Sequence, residues 1–258
     1  MTSEKTIIDD LVVLGRAVPE PIKNGRVTVC LGGYSRRLGF TRIYPTRPTT
    51  PIHRWDVISV PAERDPRDSR TESWKIQGSK NEWHDLDSKV KVVDTLDRSS
   101  RLNLIGNLTD DCVNKINEEQ RSLGIVKPTI KKSYFCEEKN FDPLLQITLF
   151  GTPLAATKKQ YHQYPKVKYR CQKCEAKNGH DQTVLDWGFY EWMRKNPDNI
   201  EQVWKNAFFD SDKRQIFFFV GNMRDRRTAF LIISTLPLPN ESFVKPLVPL
   251  RRWLGDGK

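Results

Sequence analysis

The chain predicts an α+β fold with sheet dominating its first part. The expected architecture is a small β-barrel-like or twisted-sheet domain of the OB, SH3-like or PUA-like kind, followed by a zinc-pinned α+β unit with two helices and a C-terminal β-hairpin. Three observations carry this. Residues 1–95 hold short β-branched and aromatic runs punctuated by Gly and Pro. Cys171-x2-Cys174 closes a basic, tyrosine-rich stretch and is followed by His180. Beyond it, apolar residues recur first at helical spacing and then in two apolar runs.

In the β domain, Arg26–Leu31 reads as a strand ending at Gly32-Gly33. Thr41–Tyr44 is stopped by Pro45 and Asp56–Val60 by Pro61; Ser73–Ile76 and Lys89–Val93 complete the set. Residues 96–160 form a connecting region, in which Thr109 or Asp110 caps a helix running to about Arg121 and Leu144–Phe150 reads as a buried strand. In 161–236, Leu185, Phe189, Trp192 and Met193 fall on one face of a helix. A second helix begins at Pro197 with Asn196 as its cap and repeats Ile200, Val203, Trp204, Ala207 and Phe208. Gln215–Gly221 and Thr228–Ser234 read as a hairpin buried on both faces, with a six-residue tip from Asn222 to Arg227. The 237–258 tail, rich in proline, is expected to form neither a regular helix nor a central strand.

Hydrophobic content of 37 %, with seven Trp and twelve Phe, supplies one large core or two modest ones. No basic-plus-apolar leader precedes Ile7, and the apolar runs fall far short of the ~20 residues of a membrane span. A cytoplasmic protein with no membrane partner is expected. Five cysteines, an odd number, do not read as a disulfide framework, so Cys30, Cys112 and Cys136 are expected to be core thiols. Serine-hydrolase, P-loop and Rossmann signatures do not occur, which argues against nucleotide-fuelled chemistry.

Cys171 and Cys174 can place two thiolates on one tetrahedral metal after a tight turn, with His180 as a third ligand. The fourth is open among Asp181, Asp186, His162 and a cysteine brought in from elsewhere such as Cys136, and a structural zinc competes with a metal-free turn and a redox CxxC.

The net charge of +11 is unevenly spread. Ser35–Arg54 carries Arg36, Arg37, Arg42, Arg47 and Arg54 with no acid, interleaved with Tyr34, Phe40 and Tyr44. Lys158–Cys174 carries six basic residues with no acid, alongside Tyr161, Tyr164 and Tyr169. Such clusters suit a phosphodiester backbone with accessible bases. The expected phosphate contacts are Arg36, Arg37, Arg42 and Arg47 on one track, Lys166, Lys168, Arg170 and Lys173 on another, and Arg224, Arg226 and Arg227 at the hairpin tip. Tyr34, Tyr44, Tyr161 and Tyr164 are the candidate stacking residues, favouring single-stranded or guide-type nucleic acid. An acidic protein partner is the alternative. A metal-dependent nuclease assembled from Glu72, Lys75, Asp85, Asp87 and Asp94 is the second alternative.

Several stretches in order, Val29-Cys30-Leu31-Gly32-Gly33, Thr41-Arg42-Ile43-Tyr44-Pro45, Arg70-Thr71-Glu72-Ser73, Ser122 to Pro128, Cys171-x2-Cys174 with Gly179-His180 and Asp186-Trp187, and Phe217 to Asn222, resemble a poorly characterised prokaryotic family. That family is often encoded near mobile-element and antiviral defence genes. The resemblance implies that Cys171, Cys174 and His180, with Asp186 as a further candidate, belong together. The family carries no activity to transfer, but the resemblance favours a component of a nucleic-acid-targeting system over a metabolic enzyme. Together with the basic clusters, the expectation is a non-catalytic accessory subunit of a nucleic-acid-targeting or antiviral defence system, with other subunits of a defence complex as candidate partners.

Overall fold

The computed structural model describes residues 4–22, 26–142, 156–174 and 176–240. The chain begins with β1 (Lys5–Arg16), β2 (Glu20–Pro21), β3 (Val27–Ser35), β4 (Gly39–Thr46), β5 (Asp56–Arg64) and β6 (Ser73–Ile76). β1, β3, β4, β6 and β5 pair in that order and β1 pairs back onto β5, which closes a five-stranded barrel. Ile8, Leu11, Val13, Leu31, Ile43 and Trp74 fill its interior, and Trp83 and Leu86, around the short helix α1 (Leu86–Lys89), belong to the same core. β7 (Lys91–Thr95) adds to the outside of β5.

β1 has no counterpart in the sequence expectation because its alternation is broken. The ladder to β5 shifts register between Ile8 and Leu11, so both side chains point inward although they are three apart. Asp10, in this bulge, accepts from Ser35 Oγ at 2.6 Å and Arg36 N at 2.8 Å. The strands also run through the prolines that were expected to end them. Pro45 lies past Ile43, the last β4 residue paired with β6. The Pro61 carbonyl accepts from Gln77, beyond the end of β6, so the missing N–H faces a point where that ladder has run out.

The second half contains α2 (Arg98–Leu108), β8 (Thr109–Asp110), α3 (Val113–Glu118), β9 (Leu123–Val126), β10 (Pro128–Glu137), β11 (Gln163–Cys171), β12 (His180–Thr183), α4 (Trp187–Lys195), α5 (Gln202–Asn206), β13 (Arg214–Met223) and β14 (Arg226–Pro239). Asp97 caps α2, accepting from Ser99 N and Ser100 N. The helix expected from Thr109 or Asp110 is shorter, because those two residues pair in parallel with β9 before α3 starts. The second expected helix is broken into a 3-10 turn at Pro197–Asn199 and α5.

β14, β13, β9 and β8 form a four-stranded sheet that lies between two cores. On β13, Ile216, Phe218 and Val220 enter one core with Tyr169, Phe189, Tyr190 and Trp204. Phe217 and Phe219 enter the other, with Leu14 and Trp55 of the barrel side and Leu102 and Ile105 of α2. The expected hairpin burial on both faces is therefore observed. A Cβ on Gly32 would stand 2.5 Å from the Phe219 ring, so glycine there lets the barrel approach the sheet.

The hairpin tip is tighter than expected, with only Arg224-Asp225 between the strands, and Asn222 donates its amide to the Arg227 carbonyl across the ladder. β14 also continues through Pro237 to Pro239, but as the edge strand of its sheet, which agrees with the expectation that this segment forms neither a regular helix nor a central strand. Thr235 N turns away from β13 to Asp186, and Pro237 and Pro239, in the same phase, place their missing N–H on that outer edge. β10, β11 and β12 form a separate antiparallel sheet. The expected strand at Leu144–Phe150 and the tail beyond Asn240 lie outside the described residues. No helix among the described residues is long and apolar enough to cross a membrane.

Two outcomes follow from this packing. Phe219→Ala, which empties a fully buried ring position, lowers unfolding free energy by about 3–5 kcal/mol in urea titrations. Burial alone would raise the Asp68 carboxyl, but hydrogen bonds from the Arg70 side chain and backbone outweigh it and hold it near 2. Asp68 therefore contributes stability that is present above its unfolded pKa of ~3.9 and is lost as pH falls towards 2. Asp68→Asn flattens the fall of the urea midpoint across that window.

Candidate metal centre and basic sheet face

Cys112, Cys171, Cys174 and His180 converge so that their ligand atoms all lie within 4.8 Å of one another. Cys171 is the last residue of β11 and His180 the first of β12, paired with Tyr169. The turn between them closes at Gly179, whose φ of 67° is a left-handed conformation. A Cβ there would stand 2.5 Å from the Tyr169 carbonyl. Cys112 arrives from elsewhere in the chain, at the junction of β8 and α3. The two segments are also joined by Lys173 N donating to the Asp111 carbonyl and by a Lys173–Asp111 ion pair at 3.2 Å.

His180 Nε2 is 3.4 Å from Cys112 Sγ and 3.3 Å from Cys174 Sγ. Ligands around one tetrahedral zinc, at ~2.3 Å for sulfur and ~2.0 Å for nitrogen, stand roughly 3.5–3.8 Å apart, so these edges already approach that geometry. Burial pushes the Cys112 and Cys171 thiols up, opposed by the backbone N–H groups of Asn114 and Val113. Burial also lowers His180. A divalent cation reverses this balance for the sulfurs by favouring thiolates, and the same N–H groups then become hydrogen-bond donors to the ligands. The four residues can hold one metal ion.

Two sequence expectations are corrected here. Cys112 is a member of the cluster, not a core thiol apart from it. Asp186 is not a ligand but a junction: its Oδ2 accepts from Arg54 at 2.9 Å, Ser234 Oγ at 3.0 Å and Thr235 N at 3.0 Å, and its Oδ1 from Gly188 N as the α4 cap. Trp187 lies beneath the Arg16 guanidinium, 4.6 Å away. The Asp-Trp pair thus joins barrel, β14 and α4, while Gly179-His180 belongs to the metal turn. His162 stacks on Phe141, Asp181 faces outward, and Cys136 lies on β10.

The expected phosphate contacts separate into distinct groups. Arg36 and Arg37 are exposed at the β3–β4 turn, with Arg37 donating to Thr6 Oγ1 and the Ile7 carbonyl. Arg47 is tied to Asp87 at 3.0 Å and to the His84 carbonyl. Arg42 is 3 % exposed and donates to Ser73 and Ser122, bracing the barrel against the four-stranded sheet, so it is no surface contact. Tyr161 is buried edge-on against Tyr190 at 4.9 Å and cannot stack on a base. Tyr34 packs on Phe40, Tyr44 is half-buried, and Lys158 lies over the Tyr164 ring. Arg224 and Arg226 are exposed at the hairpin tip, whereas Arg227 bonds Ser69 and the Gln120 carbonyl.

Lys166, Lys168 and Arg170 share the outward face of β11, because Val167, Tyr169 and Cys171 point into the core. Across the ladder, Lys132 opposes Lys168 and Tyr134 opposes Lys166. Asp181 gathers this face: the Tyr134 hydroxyl donates to it at 2.8 Å, and Lys166 and Lys168 approach to 3.2 and 3.9 Å. Lys132, Lys166 and Lys168 stand 5.3, 5.9 and 5.9 Å from the centre of the Tyr134 ring. Lys132 and Tyr134 were missed in the sequence; their signal is the alternation Lys132-x-Tyr134 on an amphipathic strand. The acids of the expected nuclease site do not converge. Lys75 pairs with Asp65, Glu72 accepts from Ser122 N, and Asp87 is held by Thr49, Thr50 and Arg47.

Residues 8–106 match a domain of unknown function, DUF8758, and residues 109–250 match another, DUF8757. The second match covers more than half of the chain, which therefore belongs to the DUF8757 family. No curated protein matches it.

Cys112→Ser lowers metal content below one equivalent per chain by elemental mass spectrometry and drops the melting temperature by several degrees. Asp186→Asn keeps the metal and destabilises by about 1–3 kcal/mol through its orphaned partners. Equal metal content in Cys112→Ser and wild type contradicts the ligand assignment.

Proposed function

We propose that this protein binds single-stranded nucleic acid, mainly through its backbone, as a non-catalytic component of a nucleic-acid-targeting system of the kind the sequence resemblance implies. The observation carrying this reading is the outward face of β10, β11 and β12. Lys132, Lys166, Lys168 and Arg170 share that face with Tyr134, around the carboxylate of Asp181. Cations opposite one another on a sheet repel, and their repulsion falls when a polyanion lies across them and its counterions are released. An aromatic ring amid such cations offers a stacking surface for a base. Arg224 and Arg226 at the hairpin tip and Arg36 and Arg37 at the β3–β4 turn are further exposed cations for phosphate.

In this reading the metal is a structural zinc. Its three sulfurs and one nitrogen suit zinc, and it fastens the β11–β12 turn to the β8–α3 junction. The ends of the basic strands are thereby held against the rest of the fold.

Fluorescence anisotropy with a labelled single-stranded oligonucleotide tests the proposal. Lys132→Glu with Lys168→Glu weakens binding across sequences and reduces the salt slope by roughly 1.4, about 0.7 for each lost phosphate contact on a single strand. Tyr134→Ala costs a further ~1–3 kcal/mol if its ring stacks on a base. Binding unaffected by the double charge reversal, or no binding by the metal-loaded wild type, overturns the proposal. Capture of an acidic protein at the same face identifies the alternative partner.

A further inference from the structure

A second feature lies away from the basic sheet face. Between the barrel and the tip of the β13–β14 hairpin is a cleft of ≈ 350 Å³. Its walls are apolar at Val18, Leu185 and Ile233, and Tyr44 lies along it with its hydroxyl pushed up to about 12, first by burial. Met223, 43 % exposed, and Arg224 are at its tip.

Two groups lining this cleft are unusual. Asn222 is 6 % exposed and engages its other groups: its backbone N–H donates to Ser122, its carbonyl accepts from Arg70, and its side-chain amide donates to Arg227. Its Oδ1 alone is buried without a partner among the described residues. Arg42 is a buried guanidinium that donates to the Ser73 and Ser122 hydroxyls and the Ser122 carbonyl at 3.1–3.4 Å and also lies beside the Cys30 thiol. No carboxylate among the described residues forms an ion pair with it. A buried acceptor lacking a donor and a buried cation without a direct ion pair thus line one cleft, whose apolar walls alternate with the carboxylates of Glu20, Asp65, Asp68 and Asp225.

From this we infer that the cleft takes a single nucleobase swung out of a strand, one that presents a carbonyl beside an N–H, as uracil, thymine and guanine do. The carbonyl accepts from Arg42 and the N–H donates to Asn222 Oδ1. The apolar walls and Tyr44 enclose the ring, and Arg224 meets the attached phosphate. The inference deepens the nucleic-acid reading and rests on it for the source of the base, but it concerns different residues.

Calorimetric titration of the metal-loaded protein with uridine monophosphate and with ribose phosphate tests it, alongside anisotropy with the single-stranded oligonucleotide. Uridine monophosphate is expected to bind about tenfold or more tightly than ribose phosphate. Asn222→Ser, which also gives up the bond to the Arg227 carbonyl and is checked for unchanged oligonucleotide binding, weakens the mononucleotide several-fold, while Tyr44→Phe, which keeps the ring, does not. Lys132→Glu with Lys168→Glu leaves the mononucleotide unaffected. Equal binding of uridine monophosphate and ribose phosphate, or binding of neither, overturns the cleft assignment. If the oligonucleotide still binds in that case, the sheet-face reading stands alone. Mononucleotide binding without oligonucleotide binding has the opposite meaning: the cleft stands and the broader reading fails.

Discussion

The constraint on which the rest of the structure depends is that β13 is apolar on both faces. Its alternate residues feed two separate cores, one against the barrel and α2, the other against α4, α5 and the β10–β12 sheet. A strand of this kind is unstable unless both sides are covered. The barrel and the C-terminal unit are therefore two layers on one sheet. Polar braces fix their registry: Arg42 reaches from β4 to Ser122, and Asp186 collects Arg54, Ser234 and Thr235. Each brace places a charged group in the interior, where truncation leaves its partners unsatisfied.

The metal cluster adds a connection that packing alone lacks. Cys112 and His180 lie 68 residues apart, and a metal between them closes a long loop of chain. The β11–β12 turn is short and polar, and its strand ends at Cys171 sit under a face crowded with lysine. Fixing that turn to the β8–α3 junction offsets the repulsion across the face. Fold and proposed function meet there: a metal bound by the cluster would hold in place the cations that the proposed polyanion covers.

The legible parts of the chain were those with local signals. Ser73–Ile76 is a strand as expected, because its apolar alternation is uninterrupted. Cys171, Cys174 and His180 were legible because a turn brings near neighbours together. Cys112 was not, since nothing in its own surroundings marks a ligand whose partners are distant in sequence. β1 was missed because the bulge at Asp9-Asp10 breaks period two. Arg42 and Tyr161 belong to basic, aromatic runs, and sequence alone does not show that both point inward; strand phase decides it, as it does for Lys132 and Tyr134, which point out.

The account joins a metal-pinned sheet to nucleic-acid binding, and one measurement tests that link most directly: anisotropy of a bound single-stranded oligonucleotide while a chelator withdraws the metal, with metal content measured in parallel. The account predicts that oligonucleotide affinity falls in step with metal loss and returns when zinc is restored. Unchanged affinity after complete removal of the metal would contradict it.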